Sequence, residues 1–164
     1  MNNVNPSIMV FGCGNVIMGD DGYGPAVVDR LKQYYEMPES VRAEDVGTCV
    51  REHLFDYLLS EEGRPEQIII LDAVDFEDRS PGEVFQILPA EIPAKKIHDF
   101  SLHQFPTVNL LQELEQNTGI KVVILAGQVE HIPDEIAPGL STAMTKAVSE
   151  ACDTISQILS LKAK

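Results

Sequence analysis

The chain has 164 residues, with 12 Lys and Arg against 26 Asp and Glu, for a formal net charge of −14. That balance excludes a nucleic-acid binder, which needs basic runs to meet phosphates, and docking on an anionic membrane surface. Hydrophobic residues at 44% and charged residues at 23% fit a globular chain long enough for a real core, not a disordered one. No linker, repeat or low-complexity segment divides the chain, so residues 1–164 read as a single domain. Met1 to Pro6 lacks the basic and apolar regions of an export signal, and no apolar run is long enough to span a bilayer. Cys13, Cys49 and Cys152 are scattered, with no CxxC pair. They imply a reducing, cytoplasmic setting and neither a disulfide framework nor a thiolate zinc site.

In chain order, Ile8-Met9-Val10-Phe11, closed by Gly12, reads as a buried strand. Val27, Val28, Leu31, Tyr34 and Tyr35 fall at helical spacing after Pro25, which suits a first helical turn. Val41 to Val46 alternates as a strand, and Arg51 to Leu59 places Leu54, Phe55, Leu58 and Leu59 on one helical face. Ile68-Ile69-Ile70-Leu71 is the strongest strand signal. The connection to the next strand, Val84 to Leu88, carries Ser80-Pro81-Gly82 and no helical period, so these two strands are expected to run antiparallel. A helix starting at Ser101 or Pro106 runs to Gln116, and Val122 to Leu125 is a fifth strand. The last helix begins near Ser141 with a stripe of Met144, Val148, Ala151, Ile155 and Ile158, and Lys162 and Lys164 suit its C-terminal dipole.

This order predicts an α/β fold, a three-layer α/β/α sandwich around a five-stranded, mostly parallel sheet with one antiparallel strand. Ligands in such sheets bind beyond the carboxyl ends of the strands, which directs attention to the loops after Phe11, Val46, Leu71 and Leu125 and to the helix start near His103.

The first loop runs Gly12-Cys13-Gly14-Asn15, then Met18-Gly19-Asp20-Asp21-Gly22. Gly12 and Gly14 open like a dinucleotide fingerprint, but Ile17 stands where the third glycine belongs, and Asp20 and Asp21 would repel a pyrophosphate. Asp21 is either a site residue or the cap of the following helix. Asp72 follows four apolar residues at the sheet edge, and is a site residue or a turn cap. His103 lies near a helix N-terminus, as a site residue or as a partly buried histidine bound to backbone; His53, His98 and His131 read as surface or helix-flank residues. Asp21, Asp72 and His103 together would form an open, oxygen-rich site for a borderline divalent ion, too poor in ligands for a closed structural zinc site. Cys13 is either a thiol nucleophile beside His103 or a small buried residue. No GxSxG or HExxH motif occurs.

At these residues the sequence resembles the nickel-iron hydrogenase maturation endopeptidases. The resemblance rests on Gly12-Cys13-Gly14-Asn15 with Gly19-Asp20-Asp21-Gly22, on Asp45-Val46-Gly47-Thr48, on Ile70-Leu71-Asp72-Ala73, on Pro81-Gly82-Glu83 and on Ser101-Leu102-His103-Gln104. These segments occur in order over nearly the whole chain. The resemblance implies removal of a C-terminal extension from a hydrogenase large-subunit precursor after nickel insertion. It assigns metal contact and catalysis to Asp21, Asp72 and His103, with the nickel ion supplied by the precursor and other divalent ions able to substitute. The first-loop acid is Asp where much of the family has Glu, as in the branch that reads Gly-Asp-Asp-Gly. That branch implies a cytoplasmic or multi-subunit hydrogenase as substrate, a deazaflavin-reducing one among the candidates. Metal could polarise the scissile carbonyl or activate water, with a carboxylate as base, and the residues leave both roles open. Glycines around Gly14, Gly22 and Gly47 are expected to let a bound backbone come close. Two other readings of the same fold are a non-enzymatic nickel-site chaperone and a nucleotide-binding module.

Overall fold

Five segments supply the central sheet, four of them largely apolar and the one at Val41–Gly47 alternating apolar with polar residues. The computed structural model describes residues 5–91 and 108–164. Its elements are β1 (Ile8–Cys13), α1 (Tyr23–Tyr34), β2 (Tyr35–Glu36), β3 (Val41–Gly47), α2 (Val50–Leu59), β4 (Gln67–Val74), β5 (Val84–Ile87), α3 (Val108–Thr118), β6 (Lys121–Gln128), α4 (Thr142–Leu159) and β7 (Lys162–Ala163). Short 3-10 turns lie at Gly19–Gly22 and Pro89–Glu91. The sheet order is β3-β1-β4-β6-β5, with β5 antiparallel to β6 and the other pairs parallel.

Both faces of the sheet are covered, so its central strands are apolar on both sides. On one face Val10, Ile69, Leu71 and Leu125 pack with Val27, Val28 and Leu31 of α1 and with Met144, Ala151 and Ile155 of α4. On the other, Met9, Phe11, Ile68, Ile70 and Ile124 pack with Leu54 of α2 and with Leu111 and Leu114 of α3. Side chains alternate along a strand, and each fully buried Leu or Ile of this kind contributes roughly 1.5–3 kcal/mol. The expected three-layer architecture is therefore present.

Three expectations need adjustment. β5 does run antiparallel, but its neighbour is β6 and not β4. A tight hairpin would have paired it with β4. Instead Gly82 donates to the Gln128 carbonyl and Gln128 N–H to the Glu83 carbonyl, so the connection carries the chain over to β6. Secondly, Lys162 and Lys164 do not serve α4. Lys162–Ala163 pairs with Tyr35–Glu36, and Lys164 donates through its backbone to Tyr34 and through Nζ to the Lys32 carbonyl, at the C-terminus of α1. Ser160 in the left-handed conformation turns the chain away from α4 first. Thirdly, α1 begins at Tyr23 with Gly22 as its N-cap and no side-chain cap, so Asp21 is not the cap of α1. The expected helix start at Ser101 or Pro106 lies outside the described residues. Among the described residues no helix is long and apolar enough to cross a membrane.

Candidate active site

The first loop and the β4 terminus meet at the carboxyl edge of the sheet because α1 starts unusually close to β1. Gly24 makes this possible. A Cβ there would collide with backbone atoms of Cys13 and with the Leu71 carbonyl oxygen. Gly14, at φ +133, is also obligatory, since a side chain would run into the Asp21 carbonyl oxygen. Asn15 then organises the loop. Its N–H donates to Asp21 Oδ2 at 2.9 Å, and its own Oδ1 accepts from the Ile17 N–H at 3.2 Å.

Both acids of the Asp20-Asp21 pair are buried, at 1% exposure each, yet they serve different ends. The Asp20 carboxylate accepts hydrogen bonds from the N–H groups of Glu130, His131 and Ser141 and from the Ser141 hydroxyl, all between 2.7 and 3.3 Å. Ser141 in turn caps α4 through the Met144 N–H. Asp20 thus ties the first loop to the segment after β6 and to the start of α4. Asp21 instead lies close enough to Asp72 to raise its carboxyl.

Asp72 lies on β4 opposite Ala126 of β6, and is 2% exposed. It shares the strand face of Ile68, Ile70 and Val74, and therefore points toward the α2 and α3 side. Its Oδ1 accepts from the Ala73 N–H at 3.0 Å. Burial first, and then the neighbouring Asp21 carboxylate, push the Asp72 carboxyl well above the usual range, against a smaller opposing effect of the Ala73 hydrogen bond. An acid raised by burial and by a second acid favours a bound proton or cation over bare negative charge. The same neighbourhood raises the Cys13 thiol, through burial and then Asp72, Asp45 and Asp21. Cys13 is thus a buried thiol shifted toward its protonated form, with Sγ directed at the Phe11 carbonyl oxygen, which disfavours the nucleophile alternative.

Asp21 lies near enough to Asp72 to raise its carboxyl. His103 lies outside the described residues, in the segment leading to α3. Among the described residues no three His, Cys, Asp or Glu side chains gather around one point. His53, on α2, is half-buried with its ring 5.3 Å from that of Phe11, and His131 is exposed. Of the glycines expected to admit a bound backbone, Gly14 and Gly22 are filled by the chain itself, while Gly47, at φ +53, has open space around it. The buried first turn of α1 rests on the β1 and β4 backbone, leaving no room there for a pyrophosphate. A cavity of about 380 Å³ lies at the opposite edge, lined by residues including Ser7, Gln67 and Lys121, and holds none of these acids.

The sequence reading missed two residues. In the sequence Asp20 stands only as half of an acidic pair, although two adjacent acids do not easily share one small site and one of them needs partners elsewhere. Gln128 is 3% exposed, accepts from the Phe76 N–H at 2.9 Å and donates to Asp75 at 3.2 Å, fixing the loop after β4. Its only signal was a polar residue ending an apolar strand.

The profile of the hydrogenase maturation protease family (HycI) matches residues 25–158. A Methanocaldococcus jannaschii protein whose name puts it among the hydrogenase maturation proteases is 37% identical over 149 residues, covering 90% of this chain and 93% of its own length. The coenzyme F420 hydrogenase subunit delta of Methanothermobacter thermautotrophicus is 32% identical, covering 90% and 91% respectively. The hydrogenase-maturating endopeptidase HybD of Escherichia coli superposes with a TM-score of 0.75 at 26% identity, covering 95% of each chain. The two buried carboxylates lie at the sheet edge of a chain that belongs to the hydrogenase maturation protease family, and it is a peptidase.

Proposed function

We propose that this peptidase removes the C-terminal extension of a nickel-iron hydrogenase large-subunit precursor once nickel has been inserted, and that it reads the nickel directly. The observation that carries this reading is the Asp21–Asp72 pair: two buried carboxylates, one raised by the other, at the open edge of the sheet. A divalent ion brought in by the substrate relieves both the repulsion and the cost of burial. The precursor's own thiolates hold the nickel, and Asp21, Asp72 and His103 take its remaining coordination positions. Docking then places the scissile bond beside the site only when nickel is present.

Two chemical roles fit this arrangement. The substrate's nickel can polarise the scissile carbonyl, or it can activate a water whose proton passes to the outer oxygen of one of the carboxylates. Other divalent ions with a similar taste for oxygen and imidazole would substitute for nickel in binding. The free thiols Cys13, Cys49 and Cys152 suit a reducing compartment, and we place the reaction in the cytoplasm. The test is the mass of the large subunit before and after incubation with this chain. Loss of a C-terminal peptide supports the reading, and stable binding with no change in mass would mark a nickel-site chaperone instead.

A further inference from the structure

Turn tips in soluble proteins favour Gly, Asn, Asp, Pro and Ser. The turn beside Asp21 departs from this. Asn15 closes it, accepting from the Met18 N–H at 3.0 Å, and its central residues are Val16 and Ile17, 54% and 41% exposed. A second loop lies directly against it. Ala137 donates to the Ile17 carbonyl at 3.0 Å and accepts from Gly19 at 2.9 Å, forming a parallel bridge with Met18. Ile136, next to this bridge, is 71% exposed. Three large aliphatic residues thus crown two hydrogen-bonded loop tips on the rim of the site. Other exposed apolar residues are differently placed: Tyr34 and Phe55 lie under the guanidinium groups of Arg30 and Arg51, for example.

The rim around these aliphatics has one sign of charge. Glu130, Asp134 and Glu135 are exposed on the second loop, and neither segment 12–24 nor segment 128–141 contains a Lys or Arg. A second copy of this chain would bring two such acidic rims together at a net charge of −14 each, which opposes self-association.

We propose that Val16, Ile17 and Ile136 form the docking patch for the precursor, receiving a segment near its scissile bond that carries aliphatic or aromatic side chains flanked by Lys or Arg. The inference rests on the proposed function, because it takes the precursor as occupant. The patch is continuous with the site: the turn that displays Val16 and Ile17 is the one whose Asn15 holds Asp21. Three side chains are too few for a permanent interface, which suits an enzyme that must release its product.

The experiment compares wild type, an Ile17→Ser/Ile136→Ser double variant and an Asp134→Lys/Glu135→Lys double variant, using the intact precursor, with Kd measured alongside KM and kcat. The aliphatic variant is expected to raise Kd and KM by about tenfold or more, with kcat within about twofold of wild type and an unchanged Tm. The charge variant is expected to weaken binding several-fold and to remove most of its dependence on salt. Unchanged Kd and KM in a folded aliphatic variant overturn the proposal, whether or not cleavage occurs. If wild type binds through the patch but never shortens the precursor, the docking inference stands and the peptidase reading of this substrate fails. No binding by wild type overturns both. A wild-type dimer that becomes monomeric in the aliphatic variant, with precursor affinity intact, assigns the patch to self-association and also overturns the proposal.

Discussion

Asp20 and Asp21 are chain neighbours, equally buried, with different duties: Asp20 binds the loop after β6 and the cap of α4, while Asp21 accepts from the Asn15 N–H and raises the Asp72 carboxyl. Asp20→Ala leaves three N–H groups and a hydroxyl without their acceptor. It is expected to cost about 3 kcal/mol and to lower Tm by roughly 10 °C, as read by thermal denaturation. Asp21→Asn should leave Tm within a few degrees while reducing cleavage by about 100-fold or more. Equal loss of stability in both variants would contradict this division of labour.

Asp72 sets a pH dependence of unusual sign. Its carboxyl holds its proton in the native state over a range where the unfolded chain has lost it. The native state then binds more protons than the unfolded one, so this contribution to stability is full in the acid range and falls as pH rises from the ordinary carboxylate range to the raised native value. In the metal-free protein, Asp72→Asn is expected to remove that slope and to stabilise the fold at neutral pH by on the order of 1 kcal/mol, while abolishing cleavage. Denaturant titrations of both proteins at several pH values check it.

Cys13 is buried, and its thiol is raised by burial and by three acids. Cys13→Ala is therefore expected to keep kcat within about threefold of wild type, at a cost near 1 kcal/mol for the small cavity. A loss of 100-fold or more in a folded Cys13→Ala variant would restore the thiol to the mechanism.

The packing of α1 onto β1 and β4 is equally exposed to test. Gly24→Ala places a methyl group against backbone with nowhere to move, and is expected to cost about 3 kcal/mol or more and to abolish cleavage together with folding. Circular dichroism and an activity assay on the same sample distinguish this from a purely catalytic defect.

Much of the architecture was legible in the sequence because it depends on local periodicity. The run Ile68 to Leu71 and the stripe of Met144, Val148, Ala151 and Ile155 carry their structure in their spacing and are buried as expected, whereas Ile158, the last residue of the expected stripe, is 47% exposed. Two acids of the candidate site stand out in the sequence for a related reason, since polar residues that end apolar strands or fill Gly-rich loops are conspicuous. What escaped was decided by contacts distant in sequence. Asp20 reaches Ser141 across the fold, β5 chooses β6 over β4, and Lys164 closes α1 instead of α4. Nothing local in the chain signals any of these partners.

We propose that Asp21 and Asp72 read nickel in the substrate. This reading is tested most directly by mass spectrometry of nickel-loaded and nickel-free large-subunit precursor after incubation with wild type and with Asp72→Asn. Shortening of the loaded precursor alone, by wild type alone, is the predicted result. Equal shortening of the loaded and nickel-free precursors by wild type would contradict it.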